Sequence, residues 1–240
     1  MKGVTGARKY LVLFALLLLP SLLYLFLIQG KHNFAHLPFV TYTAENGELV
    51  NRKAPEFSLT DQNNNVVTSS EMMGKVYVVN FFFTSCPSIC PIMTANMTKI
   101  HERFINYPDL EILSLTVDPK RDTPKILKEY AVNRRIDSPK WHFLTGEKDS
   151  IYSVAYKFLS SAMEDNSAPG GFLHTEYFVL VDKEGNMRSR EDDNGNLIAV
   201  YDGTNSAHIN DLIDDIKILI AEYNLELKKN NKSVQSVKSE

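Results

Sequence analysis

The chain has 240 residues, 44% of them hydrophobic and 23% charged, with a formal net charge of −3. That length suits one domain with appendages, and the composition is that of a globular protein with a sizeable core. The mild negative charge gives no electrostatic reason to expect nucleic acid as a partner, and neither a glycine-rich phosphate loop nor a dinucleotide fingerprint occurs.

The first element in chain order is an apolar run over residues 10–28, preceded by Lys2, Arg8 and Lys9 in a short N-terminus of residues 1–9. It is long enough to cross about 30 Å of hydrocarbon, and the basic residues before it orient the N-terminus to the cytoplasm. Pro20 lies mid-span, where a membrane helix tolerates it. The run exceeds the core of a cleaved signal peptide and ends without an Ala-x-Ala pattern, so it predicts an uncleaved transmembrane anchor. The expected location is the cell inner membrane, single-pass, with the soluble domain on the periplasmic or extracytoplasmic side. In that oxidising compartment a dithiol stays reduced only if something reduces it or a metal holds it.

Residues 29–50 read as a polar tether, and the domain is expected over residues 51–227. Residues 54–60 predict a strand, 61–65 a turn and 66–68 its hairpin partner. The apolar, aromatic run 76–83 predicts a fully buried strand. A helix follows over 91–105, then a strand over 111–117 that Asp118-Pro119 breaks. Asp122-Thr123-Pro124 opens a helix running to 133. Residues 141–144 read as a strand, 148–158 as a helix, 160–171 as a loop and 176–181 as a strand. A turn at 182–186 leads into a strand from Met187, and 189–196 reads as an inserted hairpin tip. Ile209, Leu212, Ile213, Ile216, Leu219 and Ile220 give a helix over 205–227 one apolar side, and the Lys-, Ser- and Asn-rich residues 228–240 predict a disordered tail. This alternation predicts an α/β fold, a mixed sheet flanked by helices on both faces. A thioredoxin-like arrangement fits best, since its first central strand then ends at the cysteines.

Cys86 and Cys90 are the whole cysteine complement, in Thr84-Ser85-Cys86-Pro87-Ser88-Ile89-Cys90-Pro91. Pro87 and Pro91 keep both thiols in the turn entering the helix, near its positive end, where the field favours thiolate. Residues four apart on a regular helix hold their Cβ atoms about 5–6 Å apart, whereas a disulfide needs roughly 3.5–4.5 Å. Two thiolates on one metal, each about 2.3 Å away by analogy with zinc, tolerate up to about 4.6 Å between sulfurs. The spacing therefore suits a chelate easily and a disulfide after local adjustment, leaving a redox-active dithiol, a soft-metal site or both in turn. A soft dithiolate favours Cu(I), with zinc the nearest rival. His174, in Phe172-Leu173-His174-Thr175, ends a loop just before a strand, a junction that lies beside the cysteine loop in a thioredoxin-like fold. Asp118, ending the strand expected beside the cysteine strand, is a further candidate near the site. Met93 and Met97 share helical spacing and read as core, His32 and His36 as solvated tether residues, and His101, His142 and His208 as structural or exposed.

The segments Phe83–Pro91, Leu115-Thr116-Val117-Asp118-Pro119-Lys120-Arg121-Asp122-Thr123 and Leu173-His174-Thr175, in this order, resemble the three motifs of the SCO/SenC family. Val200-Tyr201-Asp202-Gly203-Thr204 is also similar to bacterial members, and the likeness spans roughly residues 50–225. The family comprises membrane-tethered, thioredoxin-like copper proteins that assist assembly of cytochrome c oxidase. The resemblance implies that Cys86, Cys90 and His174 bind one copper ion. It implies delivery of copper, or of reducing equivalents, to the dinuclear copper centre of cytochrome c oxidase subunit II, with another copper chaperone and a thioredoxin-like reductant as further partners. It points to a metallochaperone rather than an enzyme, with thiol–disulfide reductase chemistry as the alternative. Leu173 stands where the family often has Asp before the histidine.

Overall fold

The computed structural model describes residues 10, 14, 16, 18–20, 36–165, 167 and 169–237. The chain divides into two units, Met1–Ala35 and His36–Glu240. In the first, Tyr10, Phe14, Leu16 and residues 18–20 are helical. The predicted anchor over 10–28 lies largely outside the described residues, and among those described no helix is long and apolar enough to cross a membrane.

The second unit opens with two hairpins, β1 (Thr41–Thr43) with β2 (Leu49–Asn51), and β3 (Ser58–Thr60) with β4 (Val66–Thr68). Then come β5 (Val76–Phe82), α1 (Cys90–Arg103), β6 (Leu110–Thr116), α2 (Pro124–Asn133), β7 (Trp141–Leu144) and α3 (Lys148–Lys157). A third hairpin, β8 (Ala162–Glu164) with β9 (Phe172–His174), precedes β10 (Tyr177–Val181), β11 (Met187–Arg188), β12 (Tyr201–Asp202) and α4 (Ser206–Val237).

The main sheet runs β11-β10-β5-β6-β7, with β12 also paired to β10. β5, β6 and β7 are parallel, and β10 lies antiparallel on the other edge of β5. Every residue of β5 and β6 is buried, so both sheet faces are covered, as parallel strands require. The run of Val, Tyr and Phe in β5 has no polar alternation because neither side sees water. Its one polar member, Asn80, accepts a 2.7 Å hydrogen bond from Ser114 of β6, whose hydroxyl in turn accepts the Trp141 Nε1–H of β7 at 3.0 Å. The edge of β7 is finished by a side chain. Gln62 donates to the Trp141 carbonyl (2.9 Å) and accepts from the Phe143 N–H (2.8 Å).

Three turns share one construction. Asp61, Asp182 and Asp192 each accept, through Oδ1, the backbone N–H groups two and four residues on, at 2.7–3.1 Å. The fourth residue of each is left-handed: Asn64 at φ 63°, Gly185 at 74° and Gly195 at 79°. Elsewhere Gly203 serves a close approach, since a Cβ there would meet the Phe178 ring at 2.5 Å and the Glu176 carbonyl at 2.8 Å.

The α/β order and mixed sheet agree with the sequence reading, with four differences. The strand expected over 54–60 is confined to Ser58–Thr60. The loop expected over 160–171 contains β8, which pairs with β9 and makes the histidine strand one arm of a hairpin. Residues 36–50, read as tether, are part of the compact unit. Leu37 and Val40 are each 2% exposed, and Leu37 N–H donates to Glu222 Oε1 at 2.7 Å. The buried Arg188 guanidinium donates to the Leu37 carbonyl (2.9 Å from Nε), to Asp182 (3.0 Å) and to Glu222 (2.9 Å). A polar, aperiodic stretch gave no sign that an arginine far along the chain needed its carbonyl. α4 also continues past Leu227 to Val237.

Burying two aliphatic side chains contributes about 1.5–3 kcal/mol each. A domain begun at residue 51 should therefore unfold at lower denaturant than one begun at residue 36, by about 3 kcal/mol or more in extrapolated stability. Equal midpoints would show the docked segment to be passive.

Candidate metal centre

β5 delivers the dithiol. Its last residue, Phe82, and Phe83 just beyond it are buried, and the chain turns at Phe83, whose carbonyl accepts the Cys86 N–H at 3.2 Å. Thr84 is clamped from the side. Its N–H donates to Asp122 Oδ2 (2.9 Å) and its hydroxyl to Oδ1 (2.5 Å), while Thr116, at the end of β6, donates to the same carboxylate at 2.5 Å. Asp122 is fully buried. Asp122-Thr123-Pro124 reads from sequence as a helix start, yet the residue flanking α2 is Thr123, and the carboxylate points to the cysteine turn instead. Asp118 does not take that role. Its carboxyl receives the Arg121 N–H at 3.4 Å, and burial, then the Asp122 charge, raises its pKa.

Cys90 is the first residue of α1, with Pro91 in the first turn. Proline there forfeits no helical hydrogen bond, and Cys90 sits at the positive end of the helix. The two cysteines are unbridged thiols. Cys86 is 8% exposed and Cys90 1%. Hydrogen bonding from Cys90 holds the Cys86 thiol well below its ordinary range, against the desolvation of the site. Cys90 is pushed up by that same bond and by burial. The deeper sulfur keeps the proton and the outer one is the thiolate.

The β8–β9 hairpin brings the third donor. Ala162 pairs with His174 across it. His174 Nδ1 lies 3.0 Å from the Thr175 carbonyl, which can only accept, so Nδ1 carries the proton and Nε2 presents its lone pair. Nε2 is 3.2 Å from Cys90 Sγ. The Cys86 and Cys90 sulfurs and a His174 ring nitrogen all lie within 4.8 Å of one another. Two soft sulfurs and one imidazole, its far N–H held by a backbone carbonyl, form a donor set that fits a soft metal ion such as Cu(I). The three residues singled out from sequence thus meet in one place.

The remaining candidates do not join them. Met93 and Met97 are core residues, at 0% exposure. His101 bonds Ser138 (2.8 Å), His142 lies against Glu111 (3.3 Å), and His208 accepts the Asp202 N–H (3.1 Å). His36 pairs with Glu222 at 3.0 Å, and His32 lies outside the described residues. Asp122 and Thr175 were not found from sequence. The Asp that closes the Asp118-Pro119-Lys120-Arg121-Asp122 segment was the available signal for the first, and nothing distinguished the second.

The SCO1/SenC family model matches residues 46–207, most of the folded unit. The chain belongs to the SCO1/SenC family. It is 30% identical over 170 residues to the SCO1 protein homolog of Bacillus subtilis, covering 70% of this chain and 83% of that one. Among solved structures it resembles BsSco, described as a member of the Sco family of cytochrome c oxidase assembly proteins and as containing a disulfide switch. That match has a TM-score of 0.59 and 29% identity, over 71% of this chain and 94% of the other. It also resembles Arabidopsis thaliana ScoI with copper bound, with a TM-score of 0.55 and 26% identity, over 71% and 99% of the two chains. SCO1/SenC membership accounts for the order of the three motifs, and the geometry above shows what that order accomplishes in this chain.

The proton arrangement predicts the reactivity of the metal-free, reduced protein. Because Cys86 has a lowered pKa, its thiolate persists as pH falls below neutrality and is lost only in strong acid. Iodoacetamide at pH 5–6 should therefore alkylate Cys86 selectively, at a rate nearly independent of pH there, with Cys90 unmodified. A rate falling tenfold per pH unit through that range, as for an ordinary thiol, would refute the assignment.

Proposed function

We propose that this chain is a membrane-anchored copper chaperone, holding one copper ion between Cys86, Cys90 and His174. Its recipient is the dinuclear copper site of cytochrome c oxidase subunit II during assembly. The observation that carries this reading is the convergence of two sulfurs and an imidazole nitrogen within 4.8 Å of one another. A relative of this fold described with copper bound supports it. The ion is the cargo, and what it supplies is a soft Lewis acid that the donor set can hand on by ligand exchange. The chain's own part is to keep Cys86 as thiolate on the turn after β5 and to present the lone pair of His174 Nε2 from the β8–β9 hairpin. Another copper chaperone as donor and a thioredoxin-like reductant complete the proposed partners.

Reduced, copper-loaded protein should bind one equivalent, and X-ray absorption should report two sulfur ligands and one nitrogen. His174→Ala should lose most of the affinity and the nitrogen contribution, and unchanged binding in that variant rejects the three-ligand site.

A second reading is supported by the adjacency of the two unbridged thiols at a helix N-terminus in a thioredoxin-like fold. In it the dithiol reduces the cysteines of subunit II without metal, forming the Cys86–Cys90 disulfide as the target disulfide is broken. Comparison of Cys86→Ser with His174→Ala for oxidase assembly in cells separates the two. Equal defects support copper delivery, and a defect confined to the cysteine variant supports the reductase.

The proposed location is the inner membrane, anchored by residues 10–28, with the domain on the extracytoplasmic side. Its support is the apolar run preceded by Lys2, Arg8 and Lys9. Alkaline phosphatase fused after residue 240 should be active in cells, whereas an inactive fusion at normal abundance would place the domain in the cytoplasm.

A further inference from the structure

The histidine and the cysteines reach the site on separate pieces of chain, and one apolar side chain lies between them. Phe83, 1% exposed, directly precedes the clamped Thr84. Its ring meets the Phe172 ring at 5.3 Å and the His174 ring at 5.6 Å, edge-on at 89°. The chain entering β9 lies against the same ring. A Cβ on Gly170 would stand 2.7 Å from Phe83 Cε2, 2.9 Å from Cζ and 3.4 Å from Pro87 Cδ. Gly170 also has φ +83°, so the absence of a side chain there is doubly required.

Little else ties the hairpin to the cysteine turn. Among the described residues the one hydrogen bond between them is Cys90 Sγ to His174 Nε2, a contact that a bound ion would replace. The other ties of the hairpin run elsewhere: Thr175 to Ser160 and Ser161, and the exposed Glu164 to Lys148. The Thr175 carbonyl sets the imidazole tautomer but leaves the tilt of the ring free. The Phe83 ring is the apolar surface that packs edge-on against the imidazole.

We propose that Phe83 is a positioning residue for copper binding: its ring, seated against Gly170, sets the His174 imidazole at the dithiol. The proposal rests on the three-ligand reading above and deepens it by naming a non-ligating side chain on which the third ligand depends. Groups that orient metal-binding imidazoles typically alter affinity by about 10–100-fold when removed. Phe83→Leu keeps an apolar group in the core but removes the ring. Gly170→Ala leaves the core intact and forces the hairpin off the ring.

The test is competitive Cu(I) titration of the purified full-length chain against a chromophoric chelator. The proteins compared are the unaltered chain, Phe83→Leu, Gly170→Ala, His174→Ala and the double variant Phe83→Leu/His174→Ala. X-ray absorption is measured on the same samples. Phe83→Leu and Gly170→Ala should each weaken binding by about 10–100-fold and lower the nitrogen count, with the sulfur count unchanged. With His174 already removed, Phe83→Leu should add less than about threefold, because its effect passes through that ligand. Undiminished affinity in both single variants overturns the proposal, as does an equal loss with and without His174. If Phe83→Leu fails to fold, Gly170→Ala decides alone. Full affinity in His174→Ala itself would instead remove the three-ligand reading.

Discussion

Asp122 accepts three hydrogen bonds from two threonines, and the arrangement of the site follows from that carboxylate. Buried and facing only hydroxyls and one backbone N–H, it fastens the turn after β5 to the end of β6. Breaking any of these bonds would strand a buried charge or donor, at about 1–3 kcal/mol for each neutral group left unpaired. The turn carrying Cys86 is therefore fastened at Thr84, although it lies beyond the end of β5, where loops are ordinarily more mobile. The parallel pairing of β5 with β6, in register from Val76↔Leu110 to Phe82↔Thr116, puts Thr84 and Thr116 on either side of the same carboxylate.

From that fixed turn two chemistries branch. Sulfurs near the N-terminus of α1 are stabilised as thiolate by the helix field, and the hydrogen bond between them, with the deeper burial of Cys90, decides which of them holds the proton. A dithiol so arranged can exchange with a disulfide. Adding His174, with its lone pair directed by the Thr175 carbonyl, makes a donor set for a soft ion. The imidazole does not arrive through the sheet that holds the cysteines. It comes on a short hairpin whose hold on the turn is largely the contact of Gly170, Phe172 and His174 with one phenylalanine ring. The two sulfurs and the imidazole thus rest on different supports within one site.

The alternation of strands and helices was legible because hydrophobic periodicity and proline placement are local. The buried run of β5 and the prolines flanking Cys90 speak without reference to distant residues. Cys86, Cys90 and His174 were legible for a different reason: sulfur and imidazole are few in this chain, and the spacing around them narrows the chemistry. The docked segment at Leu37 was not, since its burial depends on Arg188 far along the chain. β8 was hidden in a stretch of small and polar residues that pairs only because β9 lies beside it.

Taken by itself, the amino-acid order determined where the chain bends, which runs are buried and which side chains can serve as ligands, because those properties reside in a few neighbouring residues. Tertiary structure alone decided that Asp122 rather than Asp118 secures the cysteine turn, that Cys90 rather than Cys86 keeps the proton, and that Gly170 must lack a side chain. The first and last of these outcomes depend on contacts between segments far apart in sequence, and the place of the proton on the bond between the two thiols and their burial; in each case burial and distance, not residue type, set the energy.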